Sequence, residues 1–342
     1  MQLWEDSFAY RLGRVYVDGC TRGCFRRCIV TGKDNIPSDG AVIFAGNHCN
    51  TLMDALVILR EHKGPFVFGA RYDIFQKSPT VAAILRWLKI VPLARSRDGV
   101  DTVRQNQLVF DEVVDSLSHD APFCLFPEGT HRTKRSLQPL KKGVLWLAFQ
   151  AARTLKEPVY IVPVGLDYES YFVSGCDITV RFGKPFNVSE FLAQNPEFDG
   201  PLGMKVMLPD LYSRMSELIT FFPDDENYDE AFAAWQKEHR TPLWRKALSV
   251  LLLPLTLITA ILALPVWLPS TLIIRKLKDK AWCNTVRYGC KLVLLPVMVL
   301  LAAVFGFIFL PWWSAIALIL AVAYSPRLYY LLTAALPSRK TF

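Results

Sequence analysis

A histidine with an aspartate six positions further on is the feature of this sequence best suited to moving a proton. His48 and Asp54 lie in the stretch Asn47-His48-Cys49-Asn50-Thr51-Leu52-Met53-Asp54. A carboxylate can hold an imidazole in the tautomer that leaves its other nitrogen free as a base. Two more stretches carry groups of useful chemistry. Val91-Pro92-Leu93-Ala94-Arg95-Ser96-Arg97 offers two guanidinium groups, Arg95 and Arg97, that could grip a phosphate in bidentate fashion. Phe126-Pro127-Glu128-Gly129-Thr130-His131-Arg132 contains a glycine that permits a tight turn and a close ligand approach. Thr130 and nearby backbone amides could bind an oxyanion. Lys134, Arg135, Lys141 and Lys142 follow, a cluster suited to an anionic head group or a membrane surface. Val162-Pro163-Val164-Gly165 offers shape more than chemistry. Cys49 is a conceivable nucleophile, but its side chain would leave the strand end in another direction from His48. The Gly-x-Ser-x-Gly pattern of a serine nucleophile does not occur.

Each of these stretches follows or ends a run that reads as a strand. Ala41–Ala45, Pro65–Gly69, Pro122–Phe126 and Val159–Val164 are short apolar runs bounded by Gly, Pro or Asp, as buried strands are. Asp177–Phe182 alternates like a strand nearer an edge. Helix-period segments lie between them at Asn50–Glu61, Thr80–Leu88, Val100–Leu117 and Val144–Leu155. Strands alternating with helices predict an α/β domain with a mainly parallel sheet flanked by helices. Ligands of such sheets sit outside the carboxyl ends of the strands, where the stretches above fall. Residues 188 to about 240 read as helical and polar.

Composition divides the chain in two. Of 342 residues, 52% are hydrophobic, too many for a disordered protein. The 39 Lys and Arg and 31 Asp and Glu are too many for membrane spans alone. The charges avoid two runs, Ala247–Ile274 and Leu292–Pro326. The first would be about 42 Å long as one straight helix, against a hydrocarbon core of about 30 Å. Pro254, Pro265 and Pro269 interrupt it. The second is too long for one span, and Pro311-Trp312-Trp313 suits a turn at the interface.

Basic residues flank both runs: Lys237, Arg240, Arg245 and Lys246 before, Arg275 to Lys291 between, Arg327, Arg339 and Lys340 after. Basic flanks stay cytoplasmic. The preferred topology is therefore a proline-bent re-entrant hairpin followed by two spans that turn near Trp312. The expected division is a helical lead-in over 1–35, an α/β domain over 36–240 and a membrane region over 241–342.

The formal net charge of +8 fits nucleic acid, an anionic membrane or phosphorylated substrates. The apolar runs favour membrane lipids, and nucleic acid is not expected. Eight scattered cysteines suggest a reducing compartment. The first residues hold no apolar run long enough for a signal peptide, so the globular part is expected at the cytoplasmic face of the cell membrane. Trp4, Phe8, Leu12 and Val15 recur at helical spacing in a segment that could lie on a membrane or pack on its own domain. Cys20, Cys24 and Cys28 would share one helix face. They lack the paired spacing of a metal site, and packing or reversible lipidation accounts for them.

Together the stretches resemble the glycerophospholipid acyltransferase family, which includes lysophosphatidate and glycerol-3-phosphate acyltransferases. The resemblance covers about residues 30–190 and rests on Asn47–Asp54, the arginine block ending at Arg95, Phe126–Thr130 and Val162–Gly165. The basic, apolar C-terminal part looks like that of a bacterial subgroup, some of whose members resemble fungal glycerol-3-phosphate/dihydroxyacetone-phosphate acyltransferases. Four residues usually separate the family's His and Asp; here there are five, and the extra one is expected to bulge before the helix.

The resemblance implies transfer of a fatty acyl group from acyl-CoA or acyl carrier protein to a glycerophosphate hydroxyl, with His48 as general base and Asp54 as its partner. It implies acceptor contacts from Asn47, Arg95, Arg97, Glu128, Gly129, Thr130, Arg132 and Pro163. It implies no cofactor or metal beyond the acyl donor. His131 stands where the family often has arginine, and Arg132 would supply the charge. The alternative is a membrane-anchored lipid-binding protein that keeps the fold without catalysis.

Overall fold

The computed structural model describes residues 2–95, 98, 101–239 and 242–334. Arg97, Arg240, Arg339 and Lys340 lie outside the described residues. Eight strands are β1 (Cys28–Thr31), β2 (Ala41–Gly46), β3 (Val67–Arg71), β4 (Ile90–Leu93), β5 (Phe123–Leu125), β6 (Val159–Tyr168), β7 (Ile178–Phe182) and β8 (Phe186–Asn187). They form one sheet in the order β1-β7-β6-β2-β5-β3-β4, with β8 also against β6. From β6 to β4 every neighbour is parallel. β7 and β8 run antiparallel to β6, and β1 pairs parallel with β7. The expected α/β class is what the chain adopts.

Helices cover both faces, which is why the central strands are apolar throughout rather than alternating. Ala41, Ile43 and Ala45 of β2 face a core shared with α5 (Thr102–Leu117), α6 (Gly143–Thr154) and α8 (Pro201–Glu217). Val42 and Phe44 face a second core that includes Met53, Leu56 and Val57 of α2 (Leu52–Leu59). α1 (Phe8–Arg22) lies on this second face through Cys20. The short α3 (Tyr72–Phe75) and α4 (Pro79–Trp87) link β3 to β4, and α7 (Val188–Gln194) and α9 (Tyr228–Glu238) flank α8 in sequence. Because β2 and β5 are parallel neighbours, the turns that follow them emerge side by side at the carboxyl end of the sheet.

Asp177–Phe182 lies near an edge, as expected: β7 is one strand in, between the edge strand β1 and β6. Its alternation reflects one half-covered face, with Thr179 and Arg181 partly exposed. Other expectations need correction. A division at residue 35 would cut away β1, the edge strand itself. Cys28 opens β1 and Cys24 lies in the turn beyond α1, so of the three only Cys20 is on the helix. Val162–Gly165 is not a strand end, because β6 runs on to Tyr168. The segment from 188 is less polar than expected: Met204, Met207, Leu211 and Met215 of α8 enter the first core. The lead-in helix packs on the domain through Tyr10 and Arg14, leaving Phe8, Leu12 and Val15 exposed.

β6 also carries a buried charge network. Asp167 accepts from Arg135, from Arg181 and from the hydroxyl and amide of Thr220. Burial pushes its carboxyl up, but Arg135, Thr220 and Arg181 outweigh this and hold it below the ordinary value. A lowered carboxyl contributes stability that is present above the unfolded value, about 4, and is lost as pH falls through the folded one. The melting temperature should therefore drop more steeply below about pH 4 in the wild type than in Asp167→Asn.

The C-terminal part is helical: α10 (Leu243–Leu251), α11 (Leu253–Leu262), α12 (Leu264–Lys276), α13 (Cys283–Phe309) and α14 (Trp312–Thr333). Among the described residues two helical stretches, Lys280–Phe309 and Trp312–Thr333, are long and apolar enough to cross a membrane. α10 and α11 meet at 65°, next to Pro254. The turn between α13 and α14 falls at Leu310-Pro311, as expected from Pro311-Trp312-Trp313. Gly306 lets these two helices approach closely, since a Cβ there would stand 3.0 Å from Ala315. The first turns of α13 dock on the globular part, burying Cys283, Asn284, Tyr288 and Lys291. From Val293 to Phe309 the helix is largely exposed apolar surface, and these residues rise about 26 Å.

Candidate active site

β2 ends at Gly46, and the chain turns at once through Asn47 and His48. His48 Nδ1 and Asp54 Oδ2 are 2.8 Å apart. With Asp54 as carboxylate, Nδ1–H donates and Nε2 is left for a ligand. Asp54 sits in the first turn of α2 and is fully buried. It also accepts from the amides of Cys49 (2.9 Å) and Asn50 (2.7 Å) and from the Tyr168 hydroxyl (2.8 Å). Burial, and then the Asp54 charge, push the Tyr168 phenol well up, so it remains a donor. The five-residue spacing is absorbed at Thr51, whose φ of 49° is unusual for a β-branched residue. The turn lets one carboxylate bind two amides of its own loop as well as the imidazole.

Strand β5 supplies the neighbouring turn. Glu128 is buried and binds two backbone amides, His48 N at 2.7 Å and Gln138 N at 2.8 Å. Burial pushes its carboxyl up, against those two amide hydrogen bonds. Gly129 has φ 74°, so a side chain there would strain the turn. The Phe126 ring stacks on His48 at 4.3 Å, and the Arg132 amide donates to the His48 carbonyl at 2.9 Å. The two stretches thus form one unit around an imidazole whose side chain is 19% exposed.

The other sequence candidates divide. Thr130 is exposed and its hydroxyl donates to Gln138. The Arg132 guanidinium is taken up by Asp224, Ser136 and the Leu137 carbonyl. Arg95 follows β4, three strand positions from β2, or about 14 Å, and pairs with Asp98 (3.2 Å) and Asp73 (3.9 Å). Two expected acceptor contacts are structural instead. Asn47 is buried and spends both ends of its amide on the Leu166 backbone, at 3.0 and 2.7 Å. Pro163 is buried inside β6, and its carbonyl accepts from Gly183 N. Cys49 is buried, and its thiol is pushed well up by burial and by Asp54, so it is no ready thiolate.

Glu128→Gln should leave one of the two amides facing an NH2 group. We expect a loss of about 1–3 kcal/mol in urea unfolding and about a 10²-fold fall in turnover from a displaced His48 loop.

Sequence reasoning missed contacts from the C-terminal part. His131 Nε2 lies 2.6 Å from Asp279 Oδ2, and Thr51 Oγ1 lies 2.6 Å from Thr285 Oγ1. His131 and Asp279 are 148 positions apart, which leaves no local pattern to read.

Comparison with known proteins gives three findings. Residues 27–167 match the family model described as Acyltransferase. A 1-acyl-sn-glycerol-3-phosphate acyltransferase of Borreliella burgdorferi is 28% identical over 140 residues, 41% of this chain and 51% of that protein. The chain thus spans about half the length of that curated relative. A solved 1-acyl-sn-glycerophosphate acyltransferase, PlsC from Thermotoga maritima, is 19% identical with a TM-score of 0.43, over 61% of this chain and 80% of that one.

Proposed function

We propose, from the acyltransferase-family domain that residues 27–167 form, that this protein acylates a glycerophosphate at a membrane surface. The acceptor we favour is 1-acylglycerol 3-phosphate, after the named activity of the Borreliella burgdorferi relative. The donor is a fatty acyl thioester of CoA or acyl carrier protein. The observation that carries this reading is the His48–Asp54 pair, 2.8 Å apart at the end of a central strand.

His48 Nε2 takes the acceptor's hydroxyl proton as that oxygen attacks the thioester carbon, and Asp54 holds the ring and steadies its cation. A positioned base contributes roughly 10²–10⁴-fold. The attacking hydroxyl belongs to the acceptor, so the acyl group never rests on the protein; the pair is the His–Asp half of a hydrolase triad. Arg95 receives the acceptor's phosphate by exchanging its Asp98 and Asp73 partners for it.

The bilayer has a physical place in this scheme. The apolar part of α13 begins at Val293, two turns beyond Thr285, which touches the His48 loop. A site so close to the membrane lets an acylated product stay in lipid, where each buried CH2 is worth about 0.8 kcal/mol. The globular domain stands on the cytoplasmic side in this reading, given the basic flanks.

The experiment is to incubate membranes containing the protein with labelled acyl-CoA or acyl carrier protein and, separately, 1-acylglycerol 3-phosphate, glycerol 3-phosphate or dihydroxyacetone phosphate. Labelled phosphatidate from the first acceptor is the expected product. Failure to label any of the three contradicts the reading.

A further inference from the structure

The segment between α12 and α13 reaches back into the candidate site. Asp279 holds His131, Trp282 stands edge-on to the same ring at 6.1 Å, and Thr285, in the first turn of α13 just beyond, meets Thr51 of the His48 loop. The membrane region therefore touches both stretches that make the site. The His131 and His48 rings stand perpendicular with their centroids 5.6 Å apart. Asp279 occupies His131 Nε2, which leaves Nδ1 for a ligand.

Attack on a thioester puts negative charge on its oxygen, and that charge needs a donor. The side chain nominated from sequence for an oxyanion, the Thr130 hydroxyl, is spent on Gln138, and the terminal nitrogens of Arg132 are held by Asp224, Ser136 and Leu137, leaving its buried Nε without a partner. His131 is the next residue in the same turn, and its spacing from His48 suits two rings acting on adjacent atoms of one tetrahedral centre.

We propose that His131, oriented by Asp279, donates Nδ1–H to the thioester oxygen as it becomes charged, so that the segment before α13 completes the active site. This rests on the acyl-transfer reading above. The step needs a hydrogen on each ring nitrogen of His131, Nε2–H toward Asp279 and Nδ1–H toward the thioester oxygen. The acceptor oxygen bonds to the carbonyl carbon while its proton passes to His48, and the carbonyl π pair moves onto oxygen opposite His131. The pair then returns, the carbon–sulfur bond breaks, and the sulfur leaves with the proton from His48. Burial pushes the Asp279 carboxyl up, but the His131 hydrogen bond and the Ala281 amide outweigh it and hold it below the ordinary value, so Asp279 is a ready anionic partner. Asp279 is a positioning residue; His131 touches the reacting atoms.

The test uses the full chain in detergent micelles with 1-oleoylglycerol 3-phosphate and oleoyl-CoA, comparing wild type, His48→Ala, His131→Gln, His131→Arg and Asp279→Ala. His131→Gln should lower kcat by about 10²-fold with the acceptor KM within about twofold. His131→Arg, which restores a cationic donor, should recover at least about tenfold of that loss, and Asp279→Ala should lower kcat about tenfold. If His48→Ala is inactive while His131→Gln keeps kcat within about threefold of wild type, this proposal fails and the acyl-transfer reading stands. A raised acceptor KM with unchanged kcat also overturns it, making His131 an acceptor contact. If wild type forms no acylated lipid from either oleoyl-CoA or oleoyl acyl carrier protein with any of the three acceptors, or His48→Ala matches it, the reading beneath fails and takes the proposal with it. Should His131→Gln lose its melting transition, kcat of His131→Arg and Asp279→Ala decides: both inactive to the same degree means no rescue and refutes the donor role.

Discussion

His48→Ala should lower acyl transfer by about 10³-fold while the protein still folds and stays with the membrane. The imidazole is partly exposed, and its ring is held by Asp54 and by stacking on Phe126. Its backbone amide and carbonyl bind Glu128 and Arg132, and alanine keeps both of those bonds. The loop should thus survive while the base is lost. Intact melting with turnover lost is the expected pair of measurements. A lipid-binding protein without catalysis would lose little by either measure.

Asp54 separates folding from chemistry through two substitutions. Asp54→Ala leaves the Cys49 and Asn50 amides and the Tyr168 hydroxyl without their acceptor in a fully buried place. Its cost should be about 3–5 kcal/mol in urea unfolding, with inactivity following from a disordered loop. Asp54→Asn keeps one acceptor oxygen, so its stability loss should be smaller. Its NH2 group facing Nδ1 would turn the imidazole to the tautomer with the proton on Nε2. The base is then absent from a folded site, and turnover should fall by about 10⁴-fold. Equal activity in Asp54→Asn and wild type would mean that the pair does not set the tautomer.

Much of the scaffold could be read from local pattern. Ala41–Ala45 is apolar on both faces because helices cover both sides of β2, and the run therefore pointed to a central strand. The His48 and Phe126 stretches could be placed together because parallel neighbours deliver their following turns to one end of the sheet. β1 escaped because Cys28–Thr31 is four residues long and continues a cysteine spacing that suggested helix. Asn47 looked like an acceptor contact because an amide beside a histidine is chemically versatile. Only coordinates reveal that Leu166, 119 positions away, uses both of its ends. Asp279 and Thr285 were hidden for the same reason: the chain crosses the sheet and α10–α12 before returning to the site. Short-range spacing recovers the elements and the turns they present, while contacts closed by the tertiary fold leave no such trace.

The basic residues teach a related lesson. Arg95 read as a phosphate grip, Arg132 as a charge for the acceptor, and Lys134 and Arg135 as part of a cluster for an anionic head group or membrane surface, yet each has a carboxylate partner. Arg135 is buried and joins Asp167 to the Tyr168 carbonyl, holding β6 rather than awaiting a ligand. A count of positive charges overstated the cations open to an anion.

The central claim is that the acceptor's own hydroxyl attacks the thioester with His48 as base. Its most direct measurement is a single-turnover experiment with labelled acyl donor, first without acceptor and then with 1-acylglycerol 3-phosphate added, on wild type and His48→Ala in parallel. The account predicts no acyl group on the wild-type protein before the acceptor arrives, labelled lipid immediately after, and neither from His48→Ala. A stable acyl adduct on Cys49 before acceptor is added, or labelled lipid from His48→Ala at the wild-type rate, would contradict it.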